Sequence, residues 1–266
     1  MRQRPRSPWL ALGLTPMMTL LVSCAPPPTS RESPVTTTEL PSATAPPDPG
    51  VPPPDVRLLP ADAPRLTPEA RPQNQLTTWS ESLADPLNIP RAALQAYGYA
   101  SRSLERTAPD CRISWTVLAG IGAVESSHGR HGGAKLDLTG RPSSAIIGLP
   151  LDGSPGVKRI DDTDGGRLDG DTRWDRAVGP LQFIPATWQK WAADADGDGV
   201  ADPHDIDDAA LAAGTYLCDS AGGDLRDPDR FWKALMTYNE SRAYGQEVLD
   251  YADHYGRRSR ELPVAQ

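Results

Sequence analysis

Cysteine and histidine are scarce in this chain of 266 residues, three and four respectively, and neither type forms a grouping that binds a catalytic metal. There is no His-Glu-x-x-His run, no Cys-x-x-Cys pair and no glycine loop of phosphate-binding spacing, which argues against zinc hydrolase, dithiol and nucleotide chemistry. His128 and His131 are spaced for a shared metal on a helix, but Gly129, Gly132 and Gly133 interrupt any such helix. Nothing alternates like a sheet of any size, no repeat is visible, and no second domain is called for. The 27 basic residues are scattered among 35 acidic ones, for a net charge of -8, so nucleic acid is not an expected partner. The apolar run from Trp9 to Val22 is too short for a comfortable membrane span.

That run has another use. Arg2, Arg4 and Arg6 precede it and Leu21-Val22-Ser23-Cys24 ends it, the layout of an export signal closed by a bacterial lipobox. Residues 1–23 are therefore expected to be removed and Cys24 to become a lipid-bearing N-terminus. The chain would then be exported and anchored to the outer face of the bacterial cytoplasmic membrane. Residues 24–72 are dense in Pro, Thr, Ser and Ala without a hydrophobic period, and are expected to be a disordered, semi-stiff tether. At ~3.1 Å per residue it would reach on the order of 150 Å.

A single globular domain is expected over residues 73–256, with a flexible tail at 257–266. Its strong patterns are helical. Helices are expected around Thr78–Leu83, from Pro90 through Leu104, from Trp115, over Ala186–Ala193, Ala209–Leu217 and Phe231–Tyr238, and from Ser241 to Tyr255. Proline at first positions and acids in first turns recur, as helix starts prefer. With Cys24 lipidated, Cys111 and Cys218 form an even pair in an oxidising compartment and are expected to be bridged.

Two stretches carry chemistry. In Trp115–Gly129, helical spacing puts Leu118, Ile121, Gly122 and Glu125 on one stripe, with Ser114 as N-cap and Gly129 as the stop. A carboxyl on a face meant for burial has its ionised form disfavoured, so its pKa is expected to rise. Glu125 is then either a proton donor or a structural acid tied to an arginine. In Asp194–Asp205, Asp194, Asp196, Asp198, Val200, Asp202 and Asp205 fill positions 1, 3, 5, 7, 9 and 12 of the twelve-residue calcium loop, and Gly199 is the glycine at 6. A structural Ca2+ in an EF-hand-like loop is expected, and no organic cofactor. Asp rather than Glu at the last position points to a weak site. The acidic stretch Asp161–Asp175 fails the same template and reads as a polar loop.

Three blocks in order resemble the membrane-bound lytic transglycosylase B family: Glu125-Ser126-Ser127-His128-Gly129, then Ala177 through Trp188, then Tyr238-Asn239-Glu240-Ser241 with Tyr244. Leu181 stands where that family commonly has Met, and His128 follows a Ser-Ser pair. The resemblance implies a mainly helical, lysozyme-like fold and a monomeric enzyme cleaving peptidoglycan glycan strands. It also implies Glu125 as sole catalytic acid, with Ser126, Gln182, Phe183, Tyr238, Asn239 and Tyr244 at the sugar cleft. One acid rather than two implies substrate assistance: Glu125 protonates the leaving oxygen, then takes the proton of the muramoyl C6 hydroxyl as it attacks C1, leaving a 1,6-anhydro end. The alternatives are a water-using muramidase with a second carboxylate from the Asp161–Asp175 loop, and a non-catalytic, calcium-braced wall-binding lipoprotein. The anchor is checked separately: Cys24→Ala should move the mature chain from the membrane to the soluble fraction, and persistent membrane fractionation would refute the lipobox reading.

Overall fold

The computed structural model describes residues 46–60 and 62–265. The signal segment 1–23, Cys24 and the first part of the expected tether lie outside the described residues.

Seven α-helices form the framework of the described chain: α1 (Thr77–Leu87), α2 (Arg91–Thr107), α3 (Trp115–Ser126), α4 (Pro185–Trp191), α5 (Ile206–Ala221), α6 (Pro228–Tyr238) and α7 (Arg242–Arg260). Their starts follow local chemistry. Asp205, Asp227 and Ser241 cap α5, α6 and α7 by accepting the backbone N–H of Asp207, Arg230 and Tyr244. Pro185 and Pro228 occupy first positions, where no N–H is needed. Ser114 sits at the N-cap of α3, but its hydroxyl bonds that of Thr116 at 2.7 Å instead of a backbone amide.

α3 is hydrophobic on nearly every face, and Trp115 through Gly122 are all buried, as a helix of that composition must be. The stripe expected from spacing is therefore a cylinder packed chiefly against α2 and α7. Gly120 lets α7 approach: a Cβ there would lie 2.5 Å from the carbonyl oxygen of Val248. Trp79 of α1 meets Trp115 edge to face at 5.4 Å, and both are fully buried. Cys111, just before α3, is joined by a disulfide to Cys218 on α5.

A small sheet, absent from the sequence expectation, interrupts the helices. β1 (Ile147–Pro150) and β2 (Arg176–Val178) pair antiparallel, Ile147 opposite Val178 and Pro150 opposite Arg176. They are too short for an alternation to register.

The domain also begins earlier and ends later than expected. Over residues 48–60 and 62–71 the supposed tether is a strap laid over the helices, with Pro53, Val56 and Arg71 buried. Extended proline-rich backbone has free carbonyls, and the helices supply donors: Trp115 Nε1 to Val51 O at 3.0 Å, Arg102 Nε to Pro53 O at 2.8 Å, and Thr116 Oγ1 to Asp48 O at 3.1 Å. Arg71 ends the strap in an ion pair with Asp207 of α5, both side chains wholly buried, and it also donates to Gln95. Breaking such a pair typically costs about 3–5 kcal/mol, because the remaining charge is left unpaired. At the other end, α7 runs on to Arg260, Leu262 and Val264 pack on the core, and Ala265 N donates to Ser82 Oγ at 3.2 Å. Residues 257–265 are thus part of the domain.

Candidate active site

Glu125 occupies the last turn of α3, where the buried cylinder reaches the surface and leaves the side chain half-buried. The chain then turns back sharply. Ser127, His128 and Gly129 all have positive φ, 51°, 60° and 79°, and His128 N returns to Gly122 O at 2.7 Å. Ser126 Oγ latches this turn to the β2–α4 connection, donating to Pro180 O at 2.6 Å and accepting from Gly129 N at 2.7 Å.

Tyr244, in the first turn of α7, donates its hydroxyl to Glu125 Oε1 at 2.7 Å. Tyr238, the last residue of α6, stands close enough to feel the carboxylate's charge, and its hydroxyl donates to Leu181 O at 2.8 Å. Burial pushes the pKa of Glu125 up to about 7, against a smaller opposing pull from the Tyr244 hydroxyl. Burial also raises Tyr238 and Tyr244 well above the ordinary tyrosine value, with the nearby carboxylate adding to it. Both therefore stay hydroxyl donors. A carboxyl poised at neutrality can give a proton and take one back at the same pH. Among the described residues no arginine pairs with it in the manner of a structural acid.

The other expected cleft residues divide. Gln182 is half-buried with a positive φ of 50°, and its Nε2 donates to Gly179 O at 2.9 Å, bracing the turn beside the site. Asn239 is exposed after α6, accepting Ser241 N at 3.1 Å. Two expectations are corrected. Ser126 is 2% exposed and fully engaged as a latch, so it offers a sugar nothing. Phe183, also 2% exposed, packs edge-on to Trp188 at 5.2 Å and Tyr238 at 6.1 Å, as core beneath the site.

In the 161–175 loop the acids are occupied locally. Asp175 accepts both Thr163 N and Thr163 Oγ1, Asp162 accepts the amides of Asp164, Gly165 and Gly166, and Asp164 those of Arg167 and Leu168. Such Asx turns account for an acid-rich loop without a catalytic role.

The Asp194 loop departs from its template. Carboxylate oxygens of Asp194, Asp196 and Asp208 lie within 4.8 Å of one another, so the third acid comes from α5 and not from position 12. Asp205 caps α5 and, with Asp198 and Asp202, faces the Arg141 guanidinium at 3.4, 3.1 and 2.6 Å. Val200, expected to offer its backbone carbonyl, is 54% exposed. Asp196 Oδ2 is buried without a hydrogen-bond partner among the described residues, and burial raises Asp208 to about 9. Three clustered carboxylates, one with an orphan oxygen, are the hard donors a calcium ion takes. Asp208 escaped the sequence reading because the template ends at residue 205.

The Tyr244 contact has a measurable consequence. Its hydroxyl lowers the Glu125 pKa, so Tyr244→Phe should move the carboxyl titration above the wild-type value of about 7, read by 13C NMR. A titration that stays in place or falls would mean the hydroxyl does not hold the carboxylate.

Comparison with known proteins adds the following. Residues 160–222 match the family model described as Transglycosylase SLT domain. No curated protein gives a significant match. Among solved structures, SltB3 from Pseudomonas aeruginosa in complex with NAG-anhNAM-pentapeptide is 20% identical, covering 77% of this chain and 71% of that chain, with a TM-score of 0.40. The Escherichia coli lytic transglycosylase Slt35 in complex with bulgecin A is 13% identical, covering 68% of this chain and 78% of that chain, with a TM-score of 0.41. The chain is mainly helical, and its similarity to the transglycosylase SLT domain is confined to residues 160–222.

Proposed function

We propose that the protein is a lytic transglycosylase that cleaves the β-1,4 bond between N-acetylmuramoyl and N-acetylglucosaminyl residues of peptidoglycan. The observation that carries the reading is Glu125, a carboxyl raised to about 7 and held by Tyr244, in a chain matching the transglycosylase SLT domain. Protonated Glu125 gives its proton to the leaving oxygen as the C1–O4 bond breaks, and the sugar's N-acetyl carbonyl stabilises the positive charge at C1. The carboxylate then removes the C6 hydroxyl proton as O6 bonds to C1. The product has a 1,6-anhydro end, Glu125 is protonated again, and no water is consumed. The commoner two-carboxylate arrangement needs a second acid across the bond. In the 161–175 loop, the expected source of that acid, Asp162, Asp164 and Asp175 accept hydrogen bonds from their own loop.

Glu125→Gln keeps the shape but cannot exchange the proton, so turnover should fall by roughly 10²–10⁴-fold while glycan binding survives. Mass spectrometry of wild-type digests should find anhydromuramoyl ends. Reducing muramoyl ends would establish the water-using muramidase instead, and a fully active Gln variant would remove Glu125 from the chemistry.

Lipid on Cys24, holding the enzyme at the outer face of the cytoplasmic membrane, completes the reading. So does a structural calcium ion held by Asp194, Asp196 and Asp208, with Arg141 balancing the other three acids of the loop. Ligand-linked stability grows as RT ln(1 + [L]/Kd), so calcium should raise the melting temperature progressively, and magnesium less. Asp208→Asn should abolish the response, whereas Asp205→Asn, which keeps a cap, should retain it. The reverse pattern would restore the twelve-residue loop.

A further inference from the structure

His128 is buried three residues beyond Glu125, 1% exposed, and takes no part in the proton transfers. Its two ring nitrogens are both engaged: Nδ1 lies 3.2 Å from Tyr97 Oη of α2, and Nε2 lies 3.0 Å from Tyr255 Oη of α7. A neutral imidazole has one N–H donor and one lone-pair acceptor, so one tyrosine donates and the other accepts, and both nitrogens are satisfied. Burial and the Arg130 charge lower its pKa to about 3, which keeps the ring neutral throughout the working range.

Two features show that the fold is shaped around this bridge. Gly122 has no side chain where one would collide with it: a Cβ there would lie 2.0 Å from Tyr97 Oη and 3.3 Å from His128 Nδ1. The backbone of Ser127 and His128 is left-handed at φ 51° and 60°, which costs of order 1–3 kcal/mol per residue and persists only where the surroundings enforce it. Such strain gathers where a site must be held in one geometry.

α7 gives Tyr244 to Glu125 and Tyr255 to His128, eleven residues apart. At 1.5 Å per residue the two attachments are ~16 Å apart along one helix. They fix the end of α3 against α7 in both position and angle, and Tyr97 ties the same point to α2.

We propose that His128 is a positioning residue: its bridge between Tyr97 and Tyr255 locks the strained turn after α3 and thereby sets the Glu125 carboxyl against Tyr244. This rests on Glu125 being the proton-transfer group.

The test is the double variant Tyr97→Phe with Tyr255→Phe, which removes both hydroxyls and leaves the ring volumes, assayed on purified peptidoglycan strands at a temperature where it is folded by circular dichroism. A carboxyl displaced by about 1 Å loses on the order of 10²-fold in rate, so kcat should drop ~10- to 10²-fold with KM within about twofold. The Glu125 titration read by 13C NMR should also move from its wild-type position, because the burial that raises it and the Tyr244 contact that lowers it both depend on where the turn holds the carboxyl. A purely structural bridge would lower the melting temperature and leave both readouts unmoved, and that result overturns the inference. If the double variant does not fold, the single variants decide: each should lose roughly fivefold in kcat, as one hydrogen bond warrants, and wild-type kcat in both overturns it. His128→Gln, which keeps a donor and an acceptor, should recover more activity than His128→Leu. Glu125→Gln, run in parallel, separates the two failures. If it is fully active, the proposed function falls; if it is inactive while the Phe variants match wild type, only the positioning role falls.

Discussion

A lone carboxyl at the open end of a buried helix governs this structure. α3 is apolar on every side because it is the member the other helices pack around, and an acid placed anywhere along its buried length would be desolvated without compensation. Only the last turn, where the cylinder meets solvent, can hold one. There the desolvation is partial, Tyr244 supplies one hydrogen bond, and the balance leaves the acid near neutrality instead of fully protonated or fully ionised. The placement of α7, the latch at Ser126 and the left-handed turn all follow from keeping that end closed enough to raise the pKa and open enough for a proton acceptor to approach.

Charge elsewhere is handled differently. The acids of α5 and the loop before it are met by two arginines, Arg71 for Asp207 and Arg141 for Asp198, Asp202 and Asp205, while Asp194, Asp196 and Asp208 face one another and accept only backbone amides. Arg71 belongs to the strap, and Leu66 N and Gln73 Nε2 reach the carbonyls of Gly197 and Ala195, each at 2.8 Å. The N-terminal strap and the acidic loop therefore stabilise one another, and neither is an independent appendage.

Much of this was legible in the sequence. First-position prolines pointed to the starts of α4 and α6, and Ser241 to that of α7, because those preferences are local, whereas Ser114, the one N-cap expected by name, makes no side-chain cap. Spacing gave Glu125 as the acid of interest, and composition paired Cys111 with Cys218. What failed was long-range. The strap reads as a tether because its own side chains show no period, and its docking depends on Trp115, Arg102 and Thr116, far along the chain. Asp208 joins Asp194 and Asp196 only because α5 turns it back over the loop. Ser126 and Phe183 lie in the right motifs, but the turns around them aim their side chains inward. His128 read as a weak metal candidate, since no local pattern announces two tyrosines from α2 and α7.

The disulfide sets the covalent topology of the site. Cys111 and Cys218 are 107 residues apart, and the ring they close contains Glu125, the two-stranded sheet and both acidic loops. Tyr238 and Tyr244 enter from outside it, on the chain beyond Cys218. A protease that cuts any one exposed bond within the ring, as in the 151–174 excursion, yields a nicked but single molecule, with α3 still joined to the helices that flank it. The same cut after reduction frees two fragments whose only remaining hold on each other is packing. The most loop-rich part of the molecule is thereby the part in which one backbone break is tolerated.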